Sequence, residues 1–231
     1  VNKKNDVRIE VENMIEKTDL EGLLKKSVEL HGHFCNFLAY GIIAGLYAVK
    51  KLGVFSTGME EIIAILETNN CFSDGIQMVT GCSFGNNALV YRDYGKTAVT
   101  VAKRDGHAIR LVLDPVFEDS RGKKYPEVYD LFYKLVARRE TGLPEEYGRM
   151  MELFSEMSFE ELGTPVKKMF WIETKQIKLP EFAPIFDSVK CAKCGENVMK
   201  TRAVKKNNKD FCIPCADASF YELNGAGITY I

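Results

Sequence analysis

The run Thr97-Ala-Val-Thr-Val-Ala-Lys-Arg104, the dipeptide Asp105-Gly106 and the run His107-Ala-Ile-Arg-Leu-Val-Leu113 form the clearest structural signal in the chain. β-Branched and aliphatic residues fill both arms, as a pleated, half-buried surface requires. An Asp-Gly pair between such arms predicts a two-residue type I′ hairpin turn. Other strands gather around this hairpin. Glu61 to Glu67 (EIIAILE) reads as a short buried strand, Ala88 to Tyr91 is strand-like, and Phe170 to Lys178 alternates like a strand.

Helices fill the intervals. Thr18 or Asp19 caps a helix carrying Leu20, Leu23, Leu24 and Val28 at helical spacing. A second helix runs from about Asn36 to Leu52 and stops at Gly53, a C′ glycine; its small residues Ala39, Gly41, Ala44, Gly45 and Ala48 allow a neighbour to approach closely. Ser73 to Thr80 forms one or two turns capped by Ser73 or Asp74. Pro126 suits the first position of a helix reaching about Thr141, and Leu143-Pro144 opens another that ends near Met157, with a separate short turn at Ser158 to Glu161. The expected architecture is α+β: an antiparallel-sheet core packed with helices in residues 1–180, a Pro-containing linker in residues 181–188 and a small finger in residues 189–231.

Composition bounds the class. The 231 residues hold 31 Lys plus Arg against 32 Asp plus Glu, 46% hydrophobic and 27% charged residues, which excludes a largely disordered chain. A net charge of −1 argues against a polyanion binder acting along its whole length. The most apolar segment, Phe34 to Val49, is shorter than a membrane span and contains Asn36, so it reads as a buried helix. The opening stretch VNKKNDVRIEVENM is polar with no signal-peptide core, and the expectation is a cytoplasmic protein with no membrane association.

Seven cysteines make an odd count, and four of them form Cys191-x-x-Cys194 and Cys212-x-x-Cys215 with 17 residues between the pairs. Four thiolates at this spacing close a tetrahedral structural zinc site, a treble-clef-like finger with no open coordination position. Gly195 suits the knuckle turn, and the second pair is expected to open a helix from Ala216 to Leu223. Lys190 to Asp210 holds seven Lys or Arg against Glu196 and Asp210, so the finger could instead bind nucleic acid, or the basic face could simply be solvated.

The second cluster is His31-Gly-His33-Phe-Cys35, two of the three histidines and a thiol within five residues. Imidazole and thiolate ligate zinc, iron and related ions, Gly32 frees the loop, and Cys35 at a helix start should have a lowered pKa. The alternative is a capping histidine, a core histidine and a buried cysteine. Thr80-Gly-Cys82-Ser-Phe-Gly85-Asn-Asn87 places glycines around a third cysteine, which permits close backbone approach to a ligand, but it is no Walker A loop. Arg92, Tyr94 and Lys96 either meet an anionic substrate or solvate a turn. Cys71 reads as a small core residue, and His107 as an exposed, inert one.

HGHFCNFLAYGIIAGL (His31 to Leu46), DGIQMVTGCSFGNNALVYRDYGKTAVTV (Asp74 to Val101) and PIFDSVKCAKCGENVMKTRAV with FCIPCADAS together resemble the E-subunit family of formylmethanofuran dehydrogenase across nearly the whole chain. The resemblance implies an α+β core, followed in some members by a treble-clef zinc finger, often in a homodimer. It implies a metal, zinc or iron, in a core cleft, with His33 and Cys35 as first ligand candidates, His31 next, and Cys82 reaching the same site from the facing loop. His33, Cys35 and Cys82 are then also the candidates for any metal-dependent or redox chemistry. The family often has Pro or Gly after the cysteine of this segment, where this chain has Asn36 and Phe37. The family name derives from association with a molybdenum or tungsten enzyme, so a non-catalytic accessory subunit or carrier for a larger oxidoreductase is the alternative function.

Overall fold

A computed structural model describes residues 7–231. The first six residues of the polar opening stretch lie outside the described residues. The chain divides into two compact units, Val1–Leu179 and Pro180–Ile231. Among the described residues no helix is long and apolar enough to cross a membrane.

The first unit is α+β. Its sheet is built from β1 (Ile62–Leu66), β2 (Leu89–Tyr91), β3 (Ala98–Lys103), β4 (His107–Leu113) and β5 (Phe170–Gln176), in the order β2-β1-β3-β4-β5. All pairs are antiparallel except β1 with β2, so the expected antiparallel sheet carries one parallel edge. The connection that makes β2 parallel runs through a helix between the two strands, the crossover a parallel pair requires.

The hairpin forms where the sequence places it, with a different turn. Gly106 is left-handed (φ 88°) and Asp105 is not, and the Gly106 N–H donates to the Lys103 carbonyl (2.9 Å). This is a type I turn followed by a left-handed glycine rather than a type I′ turn. The edge strand β5 holds it there: Gln176 Nε2 donates to the Asp105 carbonyl (2.6 Å), and the Ile177 N–H to that of Gly106 (2.9 Å).

Helices α1 (Ile9–Lys17) and α2 (Leu20–His31) precede α3 (Asn36–Leu52); α4 (Phe72–Thr80) lies between β1 and β2. Asp19 caps α2 by accepting from the Gly22 N–H (2.8 Å). Helix α3 is buried along most of its length and packs on α4 through glycine on both sides. A Cβ at Gly75 would stand 2.5 Å from the Leu38 carbonyl oxygen and 2.7 Å from the Ile42 nitrogen. A Cβ at Gly41 would meet the Phe72 carbonyl and stand 3.0 Å from Gly75 Cα. The two backbones touch, so neither glycine can carry a side chain without separating the helices.

The remaining helices are α5 (Pro115–Lys124), α6 (Pro126–Phe132), α7 (Pro144–Glu161) and α8 (Val166–Met169). The helix expected from Pro126 to Thr141 stops at Phe132 and continues as a π-helical turn over Tyr133–Ala137. The break expected after Met157 does not occur: Ser158 points its hydroxyl back to the Phe154 carbonyl (2.6 Å) and α7 runs on to Glu161. At the C-terminal end of β1, Glu67 accepts from the Arg110 guanidinium through both carboxylate oxygens (2.7 Å each), an ion pair only slightly exposed on the Glu67 side.

The second unit holds three two-stranded ribbons: β6 (Ser188–Lys190) with β7 (Asn197–Met199), β8 (Val204–Lys206) with β9 (Lys209–Phe211), and β10 (Tyr221–Asn224) with β11 (Gly227–Tyr230). The helix expected from Ala216 to Leu223 is instead one turn, α9 (Ile213–Ala216). Asp217 ends it in the left-handed region (φ 50°), and Tyr221 then enters a strand whose ring packs on Tyr230 at 4.9 Å between centroids.

Candidate metal centre

The core cluster is assembled by two helix starts. Helix α2 ends at His31, Gly32 turns the chain with a left-handed backbone (φ 89°), and Cys35 stands extended as the N-cap of α3. Across the Gly41–Gly75 contact, Cys71 occupies the N-cap of α4. His31, His33, Cys35 and Cys71 each bring one ligand atom to this point, all within 4.8 Å of one another. His31 Nδ1 lies 2.7 Å from an Asp74 carboxylate oxygen, and Gln77 Nε2 donates to the other oxygen (3.0 Å). A carboxylate accepts only, so His31 donates from Nδ1, and Nε2, which faces Cys35 Sγ at 3.8 Å, is the ring nitrogen turned toward the cluster. His33 stacks against His31, ring centroids 4.4 Å apart and tilted by 36°. Burial, and next the neighbouring His31, lower the His33 pKa, a shift toward the neutral ring.

The thiols divide their roles in a way that corrects the sequence reading. Cys35, expected to be the acidic thiol, is pushed up by its hydrogen bond to Cys71 and then by burial. The hydrogen bond from Cys35 lowers the Cys71 pKa to about 6 against the opposing effect of burial, with His31 lowering it further.

Cys82 does not join the cluster. It is buried, its thiol contacts the Ile62 carbonyl at the N-terminal end of β1 (3.5 Å), and burial raises its pKa to about 11. Cys71 and Cys82 flank α4 at opposite ends, and nine helical residues separate them by roughly 13 Å. Cys71, and not Cys82, is the cysteine that stands with His31, His33 and Cys35. The sequence signal for it lies in its neighbour: Asn70 Oδ1 accepts from the Phe72 N–H (3.0 Å), and α4 begins at Phe72 with Cys71, rather than Ser73 or Asp74, as its N-cap. Asp74 thereby moves from the expected cap into the first turn, where it meets His31.

A cavity of about 560 Å³ opens on the cluster. His33, Cys35, Asn36, Phe37, Asn70 and Cys71, from the starts of α3 and α4, line it on one side. Tyr129, Phe132, Val136, Met150, Met151 and Phe154, from α6, the π-helical turn and α7, line the other. No Lys, Arg, Asp or Glu is among these lining residues.

In the second unit Cys191, Cys194, Cys212 and Cys215 also stand within 4.8 Å of one another. Gly195 is left-handed (φ 77°), and its N–H donates to the Cys191 carbonyl (2.9 Å), closing the turn between the first two cysteines. Backbone N–H groups of Cys194 and then Cys212 lower the Cys191 pKa to about 6, while the Cys212 thiol beside it raises Cys215 to about 12. The tetrad can hold a metal ion, and an all-cysteine set suits zinc. All seven basic residues between Lys190 and Lys209 are exposed. His107 is exposed beside Asp105, and Arg92, Tyr94 and Lys96 lie in an exposed loop.

The family model described as "FmdE, Molybdenum formylmethanofuran dehydrogenase operon" matches residues 30–170, a span that contains the whole core cluster. A relative from Archaeoglobus fulgidus, described as a probable S-adenosyl-L-methionine-binding protein, is 39% identical over 218 residues, 92% of this chain and 57% of its own length. The chain thus spans little more than half of that relative. In structure, the chain is similar to the crystal structure of a tungsten formylmethanofuran dehydrogenase FmdE-like protein from Syntrophus aciditrophicus, with a TM-score of 0.52 and 22% identity over 85% of this chain and 91% of that one, a likeness of fold.

Proposed function

This chain belongs to the FmdE family, and from that premise we propose that it is a two-metal protein: a zinc or iron ion held by His31, His33, Cys35 and Cys71 in the core, and a structural zinc held by Cys191, Cys194, Cys212 and Cys215. The observation that carries the reading is the gathering of four soft or borderline ligand atoms within 4.8 Å, three of them on residues that line a cavity. A four-ligand set completes a tetrahedral shell, whereas iron, or zinc expanded to five ligands, accepts one more donor from the cavity side. Zinc held there would supply a Lewis acid, and iron would supply either a Lewis acid or an electron carrier. The residues of the chain have their own tasks. Asp74 fixes the His31 ring and its tautomer, burial keeps His33 neutral, and Cys71 supplies a thiolate near neutral pH.

The test is elemental analysis of purified protein together with cobalt(II) substitution. We expect two ions per chain, one lost in Cys71→Ala and the other in Cys194→Ala. A Cys71→Ala protein that keeps both ions would overturn the core assignment. In this reading the core and the finger fold as separate units, and the chain forms a homodimer, for which sedimentation should give about twice the 26.1 kDa of one chain.

The alternative is an accessory subunit of a larger oxidoreductase, as the description of the family and of the Syntrophus protein suggests. Recovery of a dehydrogenase partner with the native protein, and no cobalt(II) spectrum from the core, would favour it. The name of the Archaeoglobus relative raises S-adenosyl-L-methionine as a ligand. This cavity offers no charged side chain to an amino-acid group, so we expect no heat of binding; micromolar affinity would assign that ligand to the shared part of the two proteins.

A further inference from the structure

We propose that the cavity beside the core cluster takes a neutral, largely apolar molecule of drug-like size that presents a single donor group to His33, Cys35 and Cys71. The inference rests on the reading of that cluster as a metal centre and adds the class of ligand. A volume of about 560 Å³ falls within the range of small-molecule sites. Phe37, Phe132 and Phe154 supply rigid aromatic surface, and Met150 and Met151 supply surface that adapts to shape. A phosphate or a polycarboxylate would lose its hydration there without meeting a counter-charge, because no Lys or Arg among the described residues lines the wall.

The polar lining residues outside the cluster are largely engaged. Asn70 accepts from the Phe72 N–H and donates to the Thr97 hydroxyl (3.3 Å), and Asn36 donates to the Tyr40 hydroxyl (3.4 Å). The cluster is therefore the polar end toward which a ligand would orient.

The opposite wall carries an independent sign of a binding site. The π-helical turn at Tyr133–Ala137 interrupts a helix that the sequence would otherwise continue as α. Such turns are found mostly at functional sites, and this one contributes Val136 to the lining while Phe132 enters it.

The test uses the full chain and the neutral dye N-phenyl-1-naphthylamine, whose fluorescence rises in apolar surroundings. We expect one saturable site per chain. Met151 lines the cavity yet is partly exposed, so Met151→Asp should fold and weaken the dye about tenfold or more. 1-Hexanethiol should displace the dye at lower concentration than 1-hexanol, and mercaptosuccinate, a thiol with two carboxylates, should not displace it. Cys71→Ala should keep dye binding and lose the advantage of the thiol over the alcohol. No saturable dye binding, dye binding unchanged in Met151→Asp, or displacement by mercaptosuccinate as readily as by hexanethiol would overturn the proposal. Dye binding sensitive to Met151→Asp, with hexanethiol and hexanol equal in the unmodified chain, would uphold the apolar cavity and remove the metal reading beneath it.

Discussion

Replacing Gly75 with alanine should damage the core centre without touching a ligand. The added Cβ would stand 2.5 Å from the Leu38 carbonyl oxygen, 0.9 Å inside the 3.4 Å at which ordinary contact begins. The obstacle is backbone, with no rotamer to turn aside, so α3 and α4 must separate by nearly that amount. Overpacking of this kind costs about 3 kcal/mol at the upper end. Alanine returns about 1 kcal/mol through its better helix propensity. A net loss of ~2 kcal/mol in the stability of the core follows. Cys35 and Cys71 sit on opposite sides of the separating contact, and metal–ligand distances tolerate only about 0.2 Å. Cobalt(II) affinity at the core should therefore fall by about a hundredfold or more. Urea unfolding and cobalt(II) titration read the two effects, with Gly148→Ala as the control, because a Cβ there meets open space. A Gly75→Ala core within about 0.5 kcal/mol of the parent would refute the reasoning, and so would a control as destabilised as Gly75→Ala.

Asp74→Ala removes the acceptor from His31 Nδ1, and core metal affinity should drop about 10- to 100-fold; an unchanged cobalt(II) isotherm would show that the carboxylate does not position the ring. Arg110→Met leaves the Glu67 carboxylate buried and unpaired, and should cost about 3 kcal/mol in urea at neutral pH. The Arg110 guanidinium holds the Glu67 pKa below the usual carboxylate range, so the pair stabilises the fold above that range and the benefit fades as pH falls through the lowered value. The gap between parent and variant should accordingly close in acid, and a gap independent of pH would contradict the pairing. Cys194→Ala should unfold the finger and spare the core transition; amide exchange that stays slow throughout the finger after complete metal removal would reject a zinc-dependent fold.

The parts of this fold legible in the sequence are those governed by local rules. The β3–β4 arms, the C′ glycine at Gly53, the small face of α3 and the spacing of the four finger cysteines all follow from residue type and interval. The errors arise where distant groups intervene. The hairpin turn differs because β5 pins it, and α4 starts early because the Asn70 side chain holds the Phe72 N–H. The earlier start puts Cys71 at the cap, beside Cys35, while the length of α4 holds Cys82 at its other end. The chemistry of Cys35 differs for a similar reason. A helix start alone lowers a thiol pKa, but the hydrogen bond with Cys71, and next burial, push Cys35 up, and the two thiols titrate as a pair. The cavity could not be foreseen, since one wall comes from α6 and α7, far along the chain from the cluster.

The glycine contact between α3 and α4 also bears on which ion the core would accept. Affinity by itself favours copper(II) over zinc and iron at almost any site of nitrogen and sulfur donors. Because Gly41 and Gly75 bring backbone against backbone, an ion at the core would meet Cys35 and Cys71 on two helices that cannot easily shift, which would disfavour the rearrangement copper(II) asks of its ligands. Discrimination at such a core site would then be a matter of shape. The finger, with its cysteines on short ribbons and single turns, has no such frame, so an ion there would be selected by the softness of sulfur, which would leave the finger the more open of the two to capture by a competing thiophilic ion.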